Sequence, residues 1–158
     1  MDRSAEIDFV RDLLAEVHEA RQFHEVVEYS AEAVWVVSFD EDCDVILDYD
    51  GDAERLFIFC ELGSPPEEAA FDTYRFFLQY NYQASETGGA RVALRDEEGP
   101  LSLIYDLSEA ELRAGTLPIV LDNLEADLPA WRALVAEGLK TEADSPPGDP
   151  MHHHSLRV

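Results

Sequence analysis

Residues 33–62 read AVWVVSFDEDCDVILDYDGDAERLFIFCEL. Three apolar runs are separated by two short acidic connections. Residues 33–39 are rich in valine and aromatics. Residues 43–49 alternate, with Val45, Leu47 and Tyr49 on one face, Asp44, Asp48 and Asp50 on the other, and Ile46 out of step. Residues 55–62 are almost continuously apolar. Runs of this length and composition predict strands. The connections at 40–42 and 50–54, the second with an Asp50-Gly51 pair, predict hairpins. The whole stretch therefore predicts an antiparallel meander. Its second face, apolar at Trp35, Phe57 and Phe59, needs a helix, a second copy or a bound peptide to cover it.

Helices are predicted on both sides of this meander. In residues 4–20, Ile7, Val10, Leu14 and Val17 recur at spacings of three and four, and Phe9 and Leu13 widen the stripe. Ser4 is placed to cap that helix, with Glu6 and Asp8 near its positive end. Phe23, Val26 and Val27 either prolong it or begin a connector. After the meander, Ser64, Pro65 and Glu67 have the spacing of a capping box with proline at the first helical position. The helix they predict runs to about Tyr82. Phe71, Tyr74, Phe77, Leu78, Tyr80 and Tyr82 circle much of its surface, more than one buried face requires. That excess points to a homodimer contact; a central core helix of a monomer is the alternative.

Residues 86–89 predict a turn. Residues 90–95 and 101–107 predict strands joined by the tight turn Asp96-Glu97-Glu98-Gly99. A last helix is expected over 117–139, with Leu117, Val120, Leu121, Leu124, Leu128, Trp131 and Val135 as its stripe. Pro129 is placed to bend or divide it. The expected order is helix, three antiparallel strands, helix, two strands, helix. This is an α+β fold in a single domain, 1–140. From Thr141 the apolar content falls away, so 141–158 is expected to be a disordered tail.

The chain of 158 residues carries 35 Asp and Glu against 11 Lys and Arg, a formal charge of −24, yet 46% of it is hydrophobic. That apolar share suits a globular domain. The charge makes nucleic acid and anionic membranes poor partners, and no apolar run is long enough to span a bilayer. The N-terminus lacks the pattern of a signal peptide. Cys43 and Cys60 do not make a disulfide framework, and reduced cysteines in a cytoplasmic protein are expected. Catalysis has little support: no nucleophile elbow or phosphate loop is present, and His18 and His24 read as surface residues. The acidic stretch 40–54 fails as a calcium loop. Counted from Asp48, its sixth residue is Ala53 and its twelfth Phe59, between strands instead of helices. No metal and no cofactor are expected, and His152-His153-His154 is set aside.

Phe77-Leu78-Gln79-Tyr80-Asn81-Tyr82, then Thr87-Gly88-Gly89-Ala90-Arg91-Val92-Ala93-Leu94, then Glu98-Gly99-Pro100-Leu101-Ser102-Leu103, ending near Ala130-Trp131-Arg132, form a connected pattern. It resembles the class I type III secretion chaperones of the Tir-chaperone (CesT-like) family. The resemblance implies a non-enzymatic homodimer in the same secretion-chaperone-like fold. It would bind the N-terminal segment of a secreted effector in extended form, keep it soluble and export-competent, and present it to the secretion apparatus. A secretion ATPase is a further partner it implies. The dimer contact would lie on the helix holding Tyr74, Phe77, Leu78 and Tyr80, with help from Val92. Client binding would use Phe9, Leu13, Trp35, Val37, Leu47, Phe57 and Phe59. For each of these residues internal core is the alternative, and a YbjN-like regulatory or sensory-adaptor protein of the same fold is the other functional reading.

Overall fold

The computed structural model describes residues 3–83, 87–97 and 99–139. The chain forms α1 (Arg3–Arg21), β1 (Glu25–Tyr29), β2 (Val34–Asp40), β3 (Cys43–Asp50), β4 (Arg55–Gly63), a 3-10 turn (Glu67–Ala69), α2 (Ala70–Tyr82), β5 (Arg91–Leu94), β6 (Leu101–Ser108), α3 (Glu109–Arg113) and α4 (Thr116–Glu137). The strands make one sheet in the order β1-β2-β3-β4-β6-β5. This is the expected α+β fold, with β1 and α3 added. The expected tail, 141–158, and the turn residues Glu86 and Glu98 lie outside the described residues.

β1 was hidden by ambiguous spacing. Phe23, Val26 and Val27 continue the three-and-four rhythm of α1, but Gln22 takes a left-handed φ of 55° and its N–H bonds the His18 carbonyl. That ends the helix, and the following residues pair antiparallel with β2 from Glu25↔Ser38 to Tyr29↔Val34. At the other end, α1 already includes Ser4, so Ser4 is not its cap.

The chain divides into two compact units: Met1–Cys60 with Asp106–Pro118, and Glu61–Tyr105 with Ile119–Val158. In the first, Glu28, Trp35, Leu47 and Ile58 lie directly opposite one another across β1 to β4 and so share a face. Arg11 on α1 bonds the Glu28 carboxylate at 2.7 to 3.0 Å, which sets α1 over that face. Val10, Leu14 and Val17 are buried there with Trp35, Val37, Val45, Leu47 and Ile58. Arg113 of α3 lies over the Phe9 ring of α1, 4.3 Å from its centroid. The hairpin tips use their acids as turn acceptors. Asp40 Oδ1 accepts from the N–H of Asp42, and Asp50 Oδ1 from those of Asp52 and Ala53. Glu54, not Gly51, takes the left-handed φ, at 53°.

In the second unit α2 packs on β5. The capping box expected at Ser64 and Glu67 does not form. Pro66 is extended, at φ −57° and ψ 145°, and neither the 3-10 turn nor α2 has a side-chain cap. The reason is the proline pair: a residue followed by proline is pushed out of the helical region, so Pro65 cannot begin the helix. A true capping box exists elsewhere in the fold, at Ser108 and Glu111 of α3. Pro129 does not divide α4, which runs unbroken through it. Gly138, at φ 69°, closes α4. A Cβ there would collide with Ala69 Cβ, so the helix end fits against the start of α2 only with glycine. The next residue, Leu139, donates its N–H to Thr73 Oγ1 at 3.0 Å.

Candidate partner-binding surfaces

The face of the first unit opposite α1 carries two apolar rows. Val27, Val36, Ile46 and Phe59 oppose one another across β1 to β4. Tyr29, Val34, Asp48 and Phe57 form the next row. Tyr29 is 52% and Ile46 43% exposed, and the others are half-buried. The rings of Phe57 and Phe59 stack along β4 at 6.3 Å. No described helix of this unit covers the face. Ile46, out of step in the sequence, belongs to this second apolar face.

Asp48 is the one acid within these two rows. Burial raises its carboxyl above the ordinary aspartate range, and the nearby Asp50 and Glu32 raise it further. Among the described residues it has no ion pair: Arg55, across from Asp50, is engaged with Asp106 at 2.5 Å. Glu28 on the other face is the contrast. The hydrogen bond from Arg11 holds its carboxyl below the ordinary glutamate range.

Three of the residues read as client-binding are thereby corrected. Trp35 is 1% exposed and Val37 and Leu47 are 0% exposed, because strand alternation turns them toward α1. They are core. Phe57 and Phe59 lie on the uncovered face, and Phe9 and Leu13 are half-buried on α1.

α2 presents a second apolar surface. Phe71 is 76%, Leu78 71% and Tyr82 92% exposed. With Arg75 they recur at spacings of four, three and four, a single stripe along the helix. Arg75, Leu78, Gln79, Tyr82 and Gln83 line an open groove beside it. The opposite side of α2 is core. Phe77 is 2% exposed and stacks on Trp131 at 5.9 Å, while Tyr80 meets the same indole edge-on at 5.2 Å. Burial pushes the Tyr80 hydroxyl up to about 12. Of the residues read as a dimer contact, Leu78 is exposed, Tyr74 and Tyr80 are half-buried, and Phe77 and Val92 are core. Phe71 and Tyr82, counted among the six large groups of this helix but not in the narrower dimer set, are the two that share the exposed stripe with Leu78.

The two edges of the sheet differ. Among the described strands β1 is terminal and pairs only with β2. β5 is the other terminal strand, but the Asn81 side chain caps its main chain. Asn81 Nδ2 donates to the Val92 carbonyl and Asn81 Oδ1 accepts from the Val92 N–H, both at 2.8 Å. The amide thus occupies the donor and acceptor that an added strand would use. Among the described residues, no group of three or more His, Cys, Asp or Glu is placed to hold a metal ion. None of the described helices is long and apolar enough to cross a membrane.

The model of the Tir chaperone protein (CesT) family matches residues 13–132. A comparison with curated protein sequences finds no match. Among solved structures, a chain from the ExsC-ExsE complex is similar at a TM-score of 0.70 and 20% identity, covering 86% of this chain and 98% of that one. A chain from the HopA1-SchA chaperone-effector complex is similar at a TM-score of 0.67 and 17% identity, covering 84% of this chain and 98% of that one. At these identities the likeness is one of fold.

Proposed function

We propose that this chain, which belongs to the Tir chaperone protein (CesT) family, is a non-enzymatic chaperone of type III secretion. It binds a secreted effector through the effector's N-terminal segment, held extended. It keeps that segment soluble and export-competent in the cytoplasm, and it does so as a homodimer joined through α2. The observation that carries the reading is the uncovered sheet face. Val36, Ile46, Phe57, Phe59 and Tyr29 form an apolar surface in a chain of charge −24. A contiguous apolar patch on a soluble domain marks a place where another chain docks. An extended client suits such a face, because its alternate side chains all point to one side and can enter the two rows together. The family, and likeness in fold to a chain from a chaperone-effector complex, agree with this.

The test is co-purification from the native host followed by limited proteolysis. One protected N-terminal segment in a secreted protein is the expected result. Phe59→Glu should release it while the circular dichroism of the chaperone stays unchanged. Recovery of a folded regulator with no protected segment would overturn the reading.

A further inference from the structure

The two-row face holds one side chain that apolar docking does not explain. Asp48 lies between Val34 and Phe57 in its row, half-buried, with Asp50 and Glu32 close enough to raise its carboxyl. A carboxylate so placed loses hydration and gains no ion pair in return. In a face serving only to collect apolar groups it is a defect, and leucine would fit the position better. Nor does the face suit a second copy of this chain. Isologous contact would bring two Asp48 side chains, with their acidic neighbours, into one low-dielectric seam.

We infer that Asp48 is a specificity-determining residue, and that the face takes an extended client segment in which a lysine or arginine stands among apolar side chains of the same side. The inference rests on the proposed chaperone function and names what that surface selects. On a strand, alternate residues point the same way, so flanking apolar side chains reach Val36, Ile46, Phe57 and Phe59 while the cation between them meets Asp48. The cation's charge is then neutralised where water is scarce. A client carrying glutamate at that position is repelled by Asp48, Asp50 and Glu32 together.

The test uses the full chain and three blocked strand peptides that alternate threonine and valine. One has lysine in place of its central valine, one has lysine in place of a neighbouring threonine, and one has norleucine at the central position. The two lysine peptides carry equal charge, so general attraction to an acidic protein cancels between them. Calorimetry at physiological salt should show the central-lysine peptide binding about tenfold tighter than the displaced-lysine one. Asp48→Asn should abolish that ratio and should tighten norleucine binding, since the unpaired charge is gone. Asp48→Leu should raise the melting temperature of the unliganded chain, where a structural carboxylate would lower it. Equal binding of both lysine peptides, or a ratio that survives Asp48→Asn, overturns the role of Asp48 and leaves the docking face standing. No binding by any peptide overturns both.

Discussion

Replacing Asn81 by alanine removes two hydrogen bonds at once, each 2.8 Å long, from the N–H and the carbonyl of Val92. Val92 is 4% exposed, so water restores them only in part. A buried polar group left without its partner costs about 1–3 kcal/mol. The edge position of β5 favours the lower end for each group, giving about 2–3 kcal/mol together. For a chain of this length that is a fall of roughly 5–10 °C in melting temperature. Asn81→Asp keeps an acceptor for the N–H but sets a carboxylate against the Val92 carbonyl, so it should be no milder. Both variants also uncover the β5 edge, where Leu94 is 44% exposed, and should associate at high concentration. Thermal melts at several concentrations, with hydrogen exchange at the Val92 amide, read both effects. A change in stability below about 0.5 kcal/mol, with the Val92 amide still protected, would refute the idea that one side chain closes this edge.

Phe71→Arg combined with Leu78→Glu should halve the solution mass measured by light scattering while the circular dichroism of the chain stays unchanged, both positions being exposed in a single copy; an unchanged mass would remove α2 as the dimer contact. Gly138→Ala should cost about 2–4 kcal/mol, from the left-handed backbone and the collision with Ala69, and adding Ala69→Gly should recover part of the loss in a denaturant titration. Glu28 and Glu111 have lowered pKa values, the first chiefly through its bond from Arg11 and the second through Ser108. Their stabilisation is therefore fully present above the ordinary glutamate value, about 4.3, and is lost as pH falls through the lower folded values. Glu28→Gln and Glu111→Gln should flatten the acid limb of a stability-against-pH curve, and an unchanged limb would show that neither carboxylate contributes.

The meander was legible because its signals were redundant: β-branched runs, acidic connections and alternation all agreed. Where one signal served two readings, the sequence could not decide. Phe23, Val26 and Val27 fit a helix by spacing, and only the left-handed turn at Gln22 ends the helix so that Glu25–Tyr29 become β1. Ser64 with Glu67 matched a capping box, but Pro65-Pro66 forbade the backbone it needs. The same motif at Ser108 and Glu111 was overlooked because it follows a strand directly. Site residues were harder for a physical reason. Alternation tells which residues share a face but not which face a helix will cover. Trp35 and Phe59 are equally apolar in the sequence. The Arg11–Glu28 pairing shows that α1 lies over Trp35, and Phe59 is left uncovered.

The charge also separates the two apolar surfaces by the partner each can take. The groove beside the α2 stripe is lined by Arg75, Gln79 and Gln83 with Leu78 and Tyr82, and no carboxylate lies among them. Two copies of that groove can meet without setting carboxylates of its lining against each other, Asp72 lying one turn earlier at the start of α2. The sheet face has the opposite character, since Asp48 lies within it and Asp50 and Glu32 act on it. Self-association there would multiply the repulsion already felt within one chain, whereas a basic segment would relieve it. On the proposed reading, the net charge of −24 thus does more than keep the protein soluble. It leaves α2 as the surface suited to a second copy and reserves the sheet face for a client of opposite sign.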